Sequence, residues 1–515
     1  MDPPSSTATR VVKNTGFLYV KMGVTIFVSL YTLRLLLAAL GAADYGIFTI
    51  VGGAITMLGF LNSTMANATQ RFMSYAEGEG NLDKKTKIFN VSLVLHVIIA
   101  GITALMLLIF FFPLFNGILN IQADRIPAAK IVYYSLMFST MLTIVNAPYE
   151  AVMNAHENML YYSIIGIFES LLKLAIAFFC VYTSFDKLIA YGILMAMVPL
   201  ITLTIMKVYC HKHYEECVIA PREYWDKGLI KQIAAFSGWN FLTAVSSLFT
   251  FQGLGLVLNH FFGTVLNAAH GIAQQVNNQL SQFSVNMMKA LNPVIVKFAG
   301  AGDYKKMNMA TIAGCKFSTY IMLFFAVPLM IEMPYVLKIW LVNPPEWTIL
   351  FCDLQILVGI ICQMASSAAT AVYANGDIKW YAIYKSVMNA SPVILAYICF
   401  MFGGQPYWLY IPMILFWGIC GDYVIVKYAN KYCNLNVKGY TSGVVFPVMK
   451  VAVAMLASGM LLHSFMPESF LRLALCCILT TIGMFISALY MGLTKQEYSE
   501  ILAIISSIYK SKFKR

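Results

Sequence analysis

Charge is what this chain has least of. Only 11% of its 515 residues are Asp, Glu, Lys or Arg, against roughly 25% in an average soluble domain, while 60% are apolar. A water-exposed globule of this length needs far more polar surface. Apolar stretches recur along the chain with only short polar breaks, and about 20 such residues let a helix cross a hydrocarbon core near 30 Å thick. The chain therefore reads as an all-α integral membrane protein. Paired cysteine spacing is also lacking: the 11 Cys show no repeated interval, and Cys180, Cys315, Cys352, Cys362 and Cys399 sit inside apolar stretches as small core hydrophobes. No G-x-x-x-x-G-K-[ST] phosphate loop occurs, which argues against nucleotide hydrolysis by the chain itself. The opening MDPPSSTATRVVKNTG has no small-residue cleavage site before the first apolar stretch, so that stretch reads as a retained span.

About fourteen spans are expected, over 15–40, 46–70, 88–112, 128–148, 160–183, 187–209, 233–258, 264–290, 308–330, 348–371, 379–402, 406–428, 444–465 and 469–492. With residues 1–14 placed inside, the inner side gathers Arg71, Lys84, Lys85, Lys87, Lys297, Lys305, Lys306, Lys431 and Lys438 among many others. Apart from cations within helices, the outer side holds only Arg125, Lys130, Lys187, Lys338 and Arg472. That bias predicts both termini in the cytoplasm and an even number of spans.

The halves repeat. AEGEGNLDKK from Ala76 matches AGAGDYKKMN from Ala299, pairing Gly78 with Gly300, Gly80 with Gly302 and Lys84 with Lys306 at an offset of 222. AVMNAHENMLYY from Ala151 matches AVYANGDIKWYA from Ala371 at 220, and ALGAADYGI from Ala39 resembles FFGTVLNAAHGI from Phe261, with Gly41 on Gly263. Chance similarity has no reason to keep register three times. Six helices separate the copies, so both have one orientation and the repeat is parallel. The expected layout is an N-lobe over 15–209, an inter-lobe loop over 210–232 and a C-lobe over 233–428. Two further helices follow over 444–492, then a basic tail over 493–515. Ile501, Ile505 and Ile508 share one face of that tail ahead of Lys510, Lys512, Lys514 and Arg515, a pattern suited to an anionic lipid surface.

Ionisable groups within spans are costly and are functional candidates by default. Spans 1, 2, 7 and 8 contain Lys21, Arg34 and Lys289 and no acid. They are also polar: Lys21, Thr25, Ser29 and Thr32 lie within about 80° of one face of span 1. Asn62 and Asn67 lie in span 2, Asn240, Thr243, Ser247 and Thr250 in span 7, and Gln274, Asn278 and Ser281 in span 8. If these faces met they would enclose a cationic cleft suited to an anion, with phosphate or pyrophosphate gripped by Lys and Arg and sugar hydroxyls by the amides. The competing reading has Lys21 and Arg34 snorkel to the headgroups. Glu169 and Lys173, spaced i, i+4, suit an ion pair; they and Asp353 are the candidates for coupling to Na+ or H+, and no other cofactor is expected. Asp422 reads as structural. YCHKHYEECV from Tyr209 gathers Cys210, His211, His213, Glu215, Glu216 and Cys217 but lacks C-x-x-C spacing, so no metal is expected there.

With two six-helix lobes, two added helices, the ALGAADYGIFTIVGG segment and the G-x-G-(N/D)-x-x-K loops, the whole chain resembles one family. It is the polysaccharide transporter branch of the multidrug/oligosaccharidyl-lipid/polysaccharide exporter superfamily, which includes O-antigen and capsule-unit flippases. The resemblance implies a non-enzymatic flippase that moves a polyprenyl-pyrophosphate-linked oligosaccharide from the cytoplasmic to the periplasmic leaflet by alternating access, with Lys21, Arg34 and Lys289 as headgroup contacts. Membrane lipids, a polysaccharide polymerase and chain-length machinery are the partners it implies; nucleic acid is not among them. Lipid II flippases and cation-coupled multidrug antiporters of the same superfamily are the nearest alternatives, and a membrane-embedded polysaccharide polymerase or ligase is the alternative from another class.

Overall fold

The computed structural model describes residues 4–499 and 502, except 57, 119–120, 342 and 495–496. The described residues contain helices, turns and loops but no strand. The helices are α1 (Pro4–Thr56), α2 (Gly59–Glu79), α3 (Leu82–Pro113), α4 (Ile126–Ala155), α5 (Met159–Tyr182), α6 (Lys187–His213), α7 (Lys227–Phe262) and α8 (Thr264–Gly300). After them come α9 (Tyr304–Ile331), the short α10 (Met333–Leu341), α11 (Thr348–Met364), α12 (Ser366–Asn375) and α13 (Lys379–Met401). Three further spans follow among the described residues: α14 (Pro406–Cys433), α15 (Val437–Leu462) and α16 (Phe470–Gly492).

Among the described residues, 11 helices are long and apolar enough to cross a membrane. The total reaches 13 if each of two bent pairs counts as one span: 43–56 with 61–79, bent by 53°, and α11 with α12, bent by 42°. The fourteenth expected span is α8, which at 37 residues is long enough. Its row of Gln274, Gln275, Asn277, Asn278, Ser281 and Gln282 makes it too polar to be counted with the others. The chain is a multi-pass membrane protein.

Backbone geometry carries the repeat more plainly than the side chains do. Gly41 breaks α1 at φ 75° and Gly263 separates α7 from α8 at φ 82°; Gly80 ends α2 at φ 69° and Gly302 follows α8 at φ 71°. Each pair is 222 residues apart, and left-handed backbone is where glycine alone escapes a steric penalty of roughly 1–2 kcal/mol. The next helix is then capped alike in both halves: Asn81 accepts from the Lys84 N–H and Asp303 from the Lys306 N–H, each at 3.0 Å. At the other end of the repeat, Cys210 Sγ lies 3.9 Å from the Tyr149 carbonyl and Cys433 Sγ 3.1 Å from that of Ala371.

The chain divides into two compact units, one of Asn14–Phe241 and the other running from Leu242 onward together with the residues up to Lys13. The division falls inside α7, past the 210–232 loop. The first turns of α7 pack on α2, where Phe236 meets Phe72 edge-on at 5.9 Å and Ser237 donates to Met65 Sδ at 3.1 Å. The first unit closes around Leu40, Val51, Leu107, Val132, Tyr133 and Tyr191. Arg125 bridges Asp44 and, at 2.6 Å, Asp186. The second unit closes around Leu254, Ala273, Phe351, Ile356, Ala396 and Tyr410. Within it, two ion pairs reach toward the end of the chain: Glu332, just past α9, with Arg472 of α16 at 2.8 Å, and Lys316 of α9 with Glu497, beyond α16, at 2.7 Å. Thr494 and Glu497 exchange the hydrogen bonds of a capping box; the tail residues Ile501, Ile505, Ile508, Lys510, Lys512, Lys514 and Arg515 lie outside the described residues.

Candidate functional site

The polar face of α1 turns toward α5 in its own unit. Lys21 Nζ sits 4.1 Å above the Tyr162 ring, a cation–π arrangement, and its stem fills a notch that a side chain at Gly166 would close by overlapping Lys21 Cε. One turn on, Thr25 Oγ1 and Ser170 Oγ are 3.2 Å apart. The matching face of α7 turns toward α13. Ser247 Oγ donates to the Thr243 carbonyl at 2.9 Å and accepts from Asn389 Nδ2 at 3.1 Å, and Thr250 donates to the Asn389 carbonyl. The repeat thus uses its stripe twice for one purpose, a polar seam between its first and fifth helices.

Thr32 is buried and bonded to the Val28 carbonyl at 2.7 Å, whereas Ser29, Asn67 and Arg34 are exposed. Thirteen residues put Arg34 about 20 Å along the axis from Lys21 and about 140° around it, so the two do not converge on one anion. Asn62 is half-buried with an unpartnered Oδ1. Lys289 and Asn240 are half-buried, and Gln274 Nε2 meets His270 Nε2 at 2.8 Å. Glu169 and Lys173 form an i, i+4 ion pair at 2.6 Å, both over one-third exposed. Asp353 borders an open cavity of about 600 Å³ with Trp347 and Leu350, and its Oδ1 has no hydrogen-bond partner.

Asn278 and Ser281 do reach a cavity, one of about 220 Å³ lying wholly within the second unit. It is lined by Phe251 of α7, Asn277, Asn278 and Ser281 of α8, Gln355, Gly359, Cys362 and Gln363 of α11, and Met413 and Trp417 of α14. Gln363 Nε2 is engaged, donating to Ser318 and Ser366 at 2.9 Å each. Gln355, only 2% exposed, leaves Oε1 unpartnered, as Asn277 leaves Oδ1. A buried polar atom without a partner costs about 1–3 kcal/mol, and both of these acceptors belong to residues of the lining. Sequence reasoning missed this wall of α11. The signal was there: Gln355, Gly359 and Gln363 recur every fourth residue and share one helix face.

Another cluster lies at helix ends in the first unit. His156 Nε2 is 2.5 Å from Glu216 and Nδ1 is 3.4 Å from Glu77, while Lys85 Nζ lies 2.8 Å from Glu77 and 3.9 Å from Glu216. Of the potential ligands gathered after Tyr209, Glu216 alone joins this group, whose three ligand atoms lie within 4.8 Å of one another. Lys85 already occupies the charge that a metal ion would neutralise. Burial by itself would raise the Glu216 pKa, but the hydrogen bond and charge of His156, together with Lys85, outweigh it and hold the carboxyl below its ordinary 4.5. A depressed carboxyl contributes stability above its unfolded-state pKa and loses it as pH falls through the folded value. Melting curves of the purified protein should therefore converge with those of Glu216→Gln as pH drops from 7 to below 4.5; a constant gap over that range would remove the assignment.

No protein-family model matches the chain, and no curated protein matches it either. Solved structures do. A MOP superfamily transporter from Pyrococcus furiosus, described as having a binding pocket of reverse polarity that suggests a different function, is similar at 14% identity and a TM-score of 0.68, over 84% of this chain and 96% of its own. A MATE protein in a bent conformation gives a TM-score of 0.69 at 14% identity over 86% and 99% of the two chains. An outward-facing multidrug resistance MATE family transporter gives 0.68 at 14% identity over 85% and 99%. The chain has the fold of the MATE transporters of the MOP superfamily.

Proposed function

We propose that this protein is a transporter, not an enzyme, and that it turns a polyprenyl-pyrophosphate-linked oligosaccharide from the cytoplasmic to the periplasmic leaflet by alternating access. The observation that carries the reading is Lys21, a half-buried intramembrane cation held on an aromatic ring. Among the described residues no carboxylate lies within ion-pair distance of it. A cation kept in a span at that cost and left without a counter-ion is suited to an anion that comes and goes. The relative from Pyrococcus furiosus supports weighing pocket polarity in this way, since its reverse polarity is what suggests a different function there. A second reading, a cation-coupled multidrug antiporter, is favoured by Asp353 and its unpartnered oxygen.

One pair of measurements on proteoliposomes separates the two. Purified protein should render a fluorescent polyprenyl-pyrophosphate oligosaccharide accessible to a membrane-impermeant quencher, without moving ethidium under a Na+ or H+ gradient. Gradient-driven ethidium transport with no glycolipid movement would replace the first reading by the second.

A further inference from the structure

We propose that the cavity inside the second unit is a binding site for a neutral sugar ring. Its chemistry points one way. No Asp, Glu, Lys or Arg lines it, which disfavours a fixed salt-bridge site for an anion or a cation. Two of its lining residues carry amide acceptors without partners, Asn277 Oδ1 and Gln355 Oε1, and Gln355 is 2% exposed, so the lining calls for O–H or N–H donors. Trp417 and Phe251, with centroids 5.2 Å apart and planes at 65°, give an aromatic corner against which the C–H face of a pyranose packs. At about 220 Å³ the space falls below the roughly 300–1,000 Å³ of drug-sized pockets, a scale that suits one ring rather than a whole oligosaccharide.

Gly359 holds the geometry. A Cβ there would overlap Asn277 Oδ1 and reach within 2.7 Å of Met322 Cε, so the bare backbone of α11 is what lets the α8 amide lie where it does. A hydroxylated ring with an apolar face satisfies both amides and the aromatic corner at once; water satisfies the amides alone. The inference rests on the glycan-transport reading for its class of ligand, and on the cavity by itself for its location.

The test uses full-length protein in lipid nanodiscs, free of maltoside detergent, and methyl glycosides of neutral hexoses and N-acetylhexosamines as probes. Saturation-transfer NMR should detect binding of at least one glycoside to the wild type. Gln355→Leu and Trp417→Leu should each weaken it roughly tenfold, with melting temperature retained. Asn277→Ala, which removes the other acceptor, covers the case in which Gln355→Leu fails to fold. No bound glycoside, or equal binding by the wild type and the folded variants, overturns the inference. A Gln355→Leu protein that has lost glycoside binding but flips lipid-linked glycan at the wild-type rate upholds the cavity as a sugar site and leaves the transport reading standing without it. Glycoside binding that follows these variants, in a protein that moves no lipid-linked glycan, upholds the cavity and sinks the transport reading.

Discussion

Arg472→Leu should destabilise the protein by about 3–5 kcal/mol, the usual cost of removing one partner from a buried ion pair. The Glu332 and Arg472 side chains are 0% and 4% exposed. Arg472 donates to Glu332 Oε2 through Nε at 3.1 Å and Nη2 at 2.8 Å, while Nη1 reaches the Met466 carbonyl at 3.0 Å. Without the guanidinium the carboxylate is left charged in an apolar surrounding, and water cannot reach it as it would at a surface. The double variant Glu332→Leu/Arg472→Leu should regain most of the loss, because replacing a whole buried pair by apolar groups of similar volume is often near neutral. Urea or thermal unfolding of the four proteins closes the cycle. A double variant as unstable as Arg472→Leu alone would show that packing of the long side chains, not the uncompensated charge, is what matters.

Lys21→Met should slow glycolipid flipping roughly 10- to 100-fold, the factor that corresponds to losing a charge-assisted contact of about 1.5–3 kcal/mol. Methionine preserves the stem that packs on Gly166 and Tyr162, so stability should hardly move, which alanine would not guarantee. Arg34→Met, on an exposed part of α1 about two-fifths of a turn away from Lys21, should have a smaller effect. Flipping by Lys21→Met at the wild-type rate would take away the observation on which the anionic-substrate reading stands.

The pattern of spans was readable because its signals are local: apolar length, glycine punctuation and capping residues each act within a few positions. Gly41, Gly80, Gly263 and Gly302 were matched across the halves by spacing, and all four have left-handed φ. The division inside α7 was not readable, since it depends on which partner Phe236 and Ser237 choose. The site was legible only in part. Helical periodicity found the stripe of Lys21 and Thr25, but a helix wheel gives a face and not the neighbour it meets, and that neighbour is α5. Treating ionisable residues as the main candidates drew attention to Asp353 and away from uncharged Gln355, whose meaning comes from burial without a partner. Lys316 was passed over for a similar reason: its partner Glu497 is 181 residues distant in sequence, beyond any local pattern.

That distance has a consequence for how the chain is made. Lys316 is 0% exposed, and Glu497 meets it with both oxygens, at 2.7 and 2.8 Å. A ribosome adding about 5–20 residues per second reaches Glu497 roughly 10–35 s after Lys316. Through that interval α9 carries a cation whose carboxylate does not yet exist, in a medium that charges a few kcal/mol for it even on insertion scales. The Lys316–Glu497 pair can therefore close only after the turn at Thr494 has presented Glu497. A ribosome that stalled anywhere in those 181 residues would leave behind a half-built lobe with a lysine still seeking water.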